Sequence, residues 1–337
     1  MIASGKIIVL AYPDTFVSLS DEWQCKLLPL VGLGTWNYIK AGHAAFILIE
    51  NKTGKANYYD FGRYITPKGL GRVRSAKTDD ELQIPFKAKL IGNGPLKNLS
   101  EFLLWLDANP QKTHGDGRLI ASVCEEINFE KAEKFILDLQ QEGSIPYRAF
   151  KSDGSNCSRF VAETLLASTE NKKIIKGLNH NKKFTPSTVG NVELATNSDL
   201  FEVHNGIINK YKGSALKENL KNYFQRKKES DIEKITLPEL PRFAQKLEGI
   251  GSSAWFDIEL LDYSKNLYRI RKYNDQHQLY YGGYFNAENE FNVLKPYQIT
   301  YDSHCEFCHI IQNNKKIRLK KLSTCPEFSL LQKAHSA

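Results

Sequence analysis

The sequence predicts an α+β protein in two parts, a mixed helix-and-strand body followed by a small antiparallel β-rich body. Three observations carry this. Helical and strand patterns alternate from residue 6 to about 205. Beyond about residue 237 the pattern is almost purely strand-like, with turn residues at short intervals. Between them, residues 210–234 are rich in Lys, Glu and Asn, with Leu216, Leu220 and Phe224 on one helical face. The expected division is 1–206, a charged helical linker over 207–236, and 237–337, with a boundary near Leu237-Pro238-Glu239-Leu240-Pro241. At 337 residues, 41% apolar and 25% charged, the chain suffices for two ordinary cores and is too apolar for disorder.

The elements follow in order. Ile7-Ile8-Val9-Leu10-Ala11-Tyr12 reads as a buried strand stopped by Pro13 and Asp14. It is too short for a secretory core, and no run reaches the roughly 18 residues of a membrane span, so a cytoplasmic protein is expected. A second apolar strand runs from His43 to Ile49, turns at Asn51-Lys52-Thr53-Gly54 and returns through Tyr58-Tyr59-Asp60-Phe61. Three helices are signalled: 101–107 with Ser100 as cap, 129–142 between Asn128 and Gly143, and one starting near Cys157. The C-terminal strands are expected at 254–261, 267–273, 278–285, 297–301, 309–312 and 316–322. Asn313-Asn314 marks a tight hairpin, and the aromatics between Trp255 and Tyr301 pack as core.

Chemistry concentrates around Cys157. A strand-like piece (145–150) passes through Asp153-Gly154-Ser155 into the helix that Cys157 opens. A thiol at a helix N-terminus meets unpaired N–H groups and the positive end of the dipole, which favours the thiolate. A thiolate nucleophile needs an imidazole within reach, fixed by a third group. Of eight histidines, only His43 opens a strongly apolar strand. With a four-residue turn Ala45 faces Asp60, placing His43 and Asp60 on one face of the hairpin; a three-residue turn puts Tyr59 there instead.

Tyr147…Asn156-Cys157-Ser158-Arg159-Phe160-Val161 resembles the Tyr…Asp-Cys-Ser-Gly-Phe-Val signature of NlpC-type, papain-like cysteine hydrolases. Gly42-His43-Ala44-Ala45-Phe46-Ile47 is similar to their Gly-His-Val-Gly-Ile-Tyr strand, and Phe184-Thr185-Pro186-Ser187 to a Thr-Pro-Ser segment after the helix. His43 precedes Cys157, the order of the circularly permuted branch that includes YiiX-like proteins and lecithin:retinol acyltransferase relatives. The resemblance covers about residues 5–200. It implies a permuted papain-like domain in which Cys157 attacks an amide or ester, His43 takes its proton, Asp60 orients the ring and Tyr147 helps hold the oxyanion. Asn156, Arg159 and Ala44-Ala45 depart from the pattern. Arg159 is read as a surface salt-bridge partner, or as a contact for an acidic substrate group. The implied partner is a small-molecule, peptide or acyl substrate, with no cofactor required. The rival reading is a non-catalytic binding protein that keeps the fold and binds through its aromatic, basic C-terminal part.

His304-Cys305-Glu306-Phe307-Cys308-His309, with Cys325, has zinc-type ligands but no second Cys-x-x-Cys, so packing within a β hairpin is the preferred reading. The net charge, 46 − 38 = +8, comes from scattered lysines and does not mark a nucleic-acid surface.

Overall fold

The computed structural model describes residues 3–92, 94–183, 185–227 and 237–328. Its first sheet is centred on β1 (Gly5–Tyr12), whose eight residues are all buried, as a strand covered on both faces must be. A two-stranded ribbon follows, β2 (Val17–Ser18) with β3 (Tyr38–Ile39), enclosing α1 (Trp23–Leu27) and a 3-10 turn at Pro29–Val31. The other sheet strands are β4 (His43–Glu50), β5 (Ala56–Gly62), β6 (Leu70–Arg74), β7 (Leu119–Ile127), β8 (Ile145–Pro146), β9 (Phe201–His204) and β10 (Ile207–Lys210). Their order is β10-β9-β7-β1-β4-β5-β6-β8, antiparallel from β10 through β5.

The helices are α2 (Leu99–Asp107), α3 (Pro110–Thr113), α4 (Phe129–Glu142), α5 (Cys157–Ser168), α6 (Lys172–Asn181), α7 (Thr188–Leu194) and α8 (Ala215–Tyr223). On one sheet face Val9, Phe46 and Phe61 pack with Ile136 of α4 and Phe160 and Val161 of α5. On the other, Ile8, Ile47 and Tyr58 pack with Phe102 and Leu106 of α2. Helices on both faces give three layers and two hydrophobic cores.

The second sheet contains β11 (Gln245–Leu247), β12 (Ala254–Asp262), β13 (Leu267–Tyr273), β14 (Leu279–Ala287), β15 (Gln298–Thr300), β16 (Phe307–Gln312) and β17 (Lys315–Thr324). It is antiparallel in the order β11-β12-β13-β14-β17-β16-β15. The Gln245 side chain ties its two edge strands together, donating to Tyr297 O at 3.1 Å and accepting from Ile299 N at 2.8 Å. The sheet is thereby nearly closed, and its edges are covered. Phe256, Tyr268, Tyr281, Phe285 and Phe291 fill it as core. Asn313 and Asn314 adopt φ of 50° and 61°, the left-handed pair that a two-residue hairpin turn requires.

Among the described residues, 3–62, 73–75 and 82–227 form one compact unit, and 63–72, 76–81 and 237–328 the other. This differs from the division expected at residues 206 and 237. The second unit takes two short segments from early in the chain: Arg72 forks onto Asp79 at 2.7 and 2.8 Å, and Lys321 reaches both oxygens of Asp80 at 2.9 Å. The described part of the supposed linker belongs to the first unit, since β10 pairs with β9 and Asn222 of α8 donates to Pro13 O at 2.8 Å. Residues 228–236 lie outside the described residues. Asn98, not Ser100, sits at the start of α2, and its side chain bonds Lys89 N and Glu101 rather than capping the helix. No helix among the described residues is long and apolar enough to cross a membrane.

Candidate active site

The β4–β5 hairpin places His43 and Asp60. Glu50 N donates to Lys55 O at 2.9 Å, closing the four-residue turn, and Ala45 then pairs with Asp60. The period of two puts His43 and Asp60 on the same face, with Tyr59 pointing to the other. Gly42 turns the chain into β4 at φ 78°; a Cβ there would stand 3.0 Å from both Tyr12 O and Thr188 Oγ1. Tyr12 pairs with His43 from the β1 side and stacks on its ring, with centroids 6.3 Å apart.

Asp60 is fully buried and held by several donors. Arg74 Nε reaches Oδ1 at 2.9 Å and Nη2 reaches Oδ2 at 2.6 Å, and the Tyr58 hydroxyl donates to Oδ2 at 3.1 Å. His43 Nε2 lies 3.4 Å from the same Oδ2, close enough for strong electrostatic coupling but not aligned as a hydrogen bond. Burial alone would raise the Asp60 carboxyl; the Arg74 guanidinium and the His43 ring overcome it and hold the group well below the usual carboxylate range.

Cys157 opens α5. Asn156 caps the helix by accepting from Arg159 N at 2.9 Å, while its amide donates to Arg148 O at 2.8 Å. The first intrahelical bond is Phe160 N to Asn156 O at 2.9 Å, so the amides of Cys157 and Ser158 precede the ladder. Phe160 packs against Phe46 and Phe61, with centroids 5.3 and 6.2 Å apart, which seats the helix on the sheet. Its N-terminus puts the thiol near enough to the His43 imidazole to raise its proton affinity. Burial by itself would lower that imidazole; Asp60 and Cys157 outweigh it and push it up to about 9.

The loop before α5 is clamped from two sides. Glu22 accepts from the amides of Ala149, Phe150 and Lys151, the last at 3.0 Å. Burial would raise its carboxyl, but these amides and Ser20 hold it below its ordinary value. Arg159 is buried and donates to the carbonyls of Lys151 and Gly154. Its guanidinium is therefore not a surface salt bridge, one of the two roles that the sequence suggests; it secures the loop. Tyr147 stacks on Phe61 at 6.1 Å and lines a cleft of ≈ 200 Å³ that also exposes Cys157. Thr185 and Pro186 line the same cleft, and Ser187 caps α7 by accepting from Gly190 N at 3.1 Å; Phe184 lies outside the described residues.

Sequence reasoning missed Arg74, Tyr58 and Glu22. Tyr58 was legible, since it sits two residues before Asp60 on the same face. Arg74 was not, because nothing local in Gly69-Leu70-Gly71-Arg72-Val73-Arg74 links it to Asp60.

In the second unit, Cys305 and Cys308 are fully buried, and burial pushes each thiol up to about 12. Lys272 Nζ lies 3.6 Å from Cys305 Sγ, His309 Nδ1 lies against Asp302 O, and Cys325 is buried with its amide on Gly282 O at 2.9 Å. Among the described residues, no group of three or more His, Cys, Asp or Glu side chains is placed to hold a metal ion.

The first unit is thus an α+β domain that gathers a thiol, an imidazole and a buried carboxylate, with the thiol lining an apolar cleft. Residues 7–174, which contain all of these groups, match the family model of TseH-like type VI secretion system effectors. Residues 244–322 match the model of the DUF6695 C-terminal domain. A crystal structure of the type VI secretion system effector TseH is similar at 19% identity, covering 63% of this chain and 100% of its own, with a TM-score of 0.44. No curated protein matches the chain.

Proposed function

We propose that the first unit is a cysteine hydrolase of the permuted papain-like type, acting on an amide or ester bond. The observation that carries this reading is the position of His43, between the buried Asp60 carboxylate at 3.4 Å and the thiol that opens α5. In the mechanism, His43 takes the Cys157 proton and Asp60, kept ionised by Arg74, holds the ring and balances its charge. The thiolate attacks the carbonyl carbon, and the first-turn amides of α5 with the Tyr147 hydroxyl receive the oxyanion. His43 then protonates the leaving group, and water releases the acyl group from sulfur. Alignment of the long His43–Asp60 contact accompanies substrate binding, as is common for catalytic hydrogen bonds in ligand-free sites. The match of residues 7–174 to TseH-like type VI secretion effectors supports a hydrolase-type effector.

The test is pre-steady-state turnover of p-nitrophenyl acetate by the full chain. A burst equal to the enzyme concentration, with an acetyl group on the Cys157 peptide, is expected. Cys157→Ser and His43→Ala should each lose the burst. A burst retained in Cys157→Ser overturns the reading.

A further inference from the structure

We infer that the cleft at Cys157 takes the aliphatic chain of an acyl substrate. This rests on the hydrolase reading and specifies its substrate class. The wall is built from Val17, Leu19, Leu33, Ile39, Phe150 and Pro186, and its polar members are hydroxyls, thiols and the Asn156 amide. No Asp, Glu, Lys or Arg side chain lines it. A charged peptide terminus or acidic side chain entering here would lose its water with no counter-ion to replace it, whereas a methylene chain loses nothing. The cleft offers ≈ 200 Å³, room for several methylene groups, and its uncharged lining is what favours a chain over a charged group.

A second observation concerns the surface beside it. The segment carrying α1 and the following 3-10 turn points Cys25, Leu28 and Leu33 into the cleft. Its other side turns Trp23, Leu27, Leu30, Val31 and Trp36 to solvent, each between 46% and 67% exposed. An apolar rim continuous with an apolar cleft fits a substrate drawn from a lipid assembly.

The chemistry closes with an ester as substrate. The Cys157 sulfur bonds to the acyl carbon, the ester C–O bond breaks, and the alcohol leaves with the proton His43 took from the thiol. Water then gives a proton to His43 while its oxygen adds to the acyl carbon. The C–S bond breaks, and the carboxylic acid and the free thiol are recovered.

The experiment compares alkylation of Cys157 by iodoacetamide and by N-octyl iodoacetamide below its aggregation limit, read by peptide mass spectrometry on the full chain. The octyl reagent should react about tenfold faster or more, because the chain gains apolar burial before the sulfur attacks. Leu33→Trp, which fills the cleft, and Ile39→Asp, which charges it, should each bring the octyl-to-parent ratio toward one. A ratio near one in the wild type, or an unaltered ratio in both variants, overturns the inference. The hydrolase reading is judged separately in the same experiment: His43→Ala should slow both reagents, and equal rates with and without His43 defeat that reading whatever the ratio.

Discussion

Arg74 grips Asp60 in a buried two-point ion pair, at 2.9 and 2.6 Å, and so determines what the carboxylate does for His43. A fork of this kind fixes the orientation of the carboxylate plane as well as its charge. Arg74→Met would strand Asp60 in the core. The expected loss is about 3–5 kcal/mol, seen as a lower urea midpoint with an unchanged slope. Arg74→Lys should recover only part of it, because an ammonium cannot reproduce the fork. A midpoint unmoved by Arg74→Met would show that the pair contributes no stability.

His43 makes stability depend on pH in a defined direction. Its imidazole is raised from 6.5 to about 9 in the fold, so the folded state binds the proton more tightly. The stabilisation is fully present below the unfolded value and is lost as pH rises through about 9. The difference in unfolding free energy between wild type and His43→Gln should shrink across that window. A difference that stays level from 6.5 to 9 contradicts the assignment.

Cys157 contributes to that raised value. Cys157→Ala should therefore lower the His43 midpoint followed by NMR of the ring protons, with Asp60 still holding it above that of a histidine buried alone. An identical titration in both proteins would mean that the thiol and imidazole do not interact.

Glu22 anchors three consecutive amides of the loop that bears Tyr147. Glu22→Ala should destabilise the protein by about 1–3 kcal/mol, since the amides lose a charged acceptor. Hydrogen exchange should accelerate at 149–151 and leave β1 protected. Unchanged exchange at these amides would show that Arg159 alone is sufficient to hold the loop.

Burial also predicts which thiols stay silent. Cys305 and Cys308, raised to about 12, should resist alkylation at neutral pH in the folded chain and label freely once urea unfolds it. Rapid labelling of either in the folded protein would contradict its burial.

The site was legible where its geometry is local. Strand alternation put either Asp60 or Tyr59 on the face of His43, and the four-residue turn of the fold selects Asp60. Asn156 as cap and Cys157 as first helical residue follow from one turn of backbone, and the C-terminal strands followed from alternation and turn residues. Arg159 was misjudged because its partners are backbone carbonyls, which leave no mark in the side-chain pattern. Spacing along the chain made a metal site at Cys305 and Cys308 only the lesser reading, because it does not say whether a third and fourth ligand converge.

Local chemistry in the chain therefore marked the first strand, the hairpin from His43 to Phe61 and the helix that Cys157 opens, and left the choice between Asp60 and Tyr59 to the turn that the fold adopts. Distance in sequence hid the rest. Arg74 lies 14 residues from Asp60, Glu22 lies 127 from Ala149, and Asp80 lies 241 from Lys321. Each pair is joined only when the strands and loops between them have packed. The energy that selects them is desolvation of a charge, which exists only once a core surrounds it.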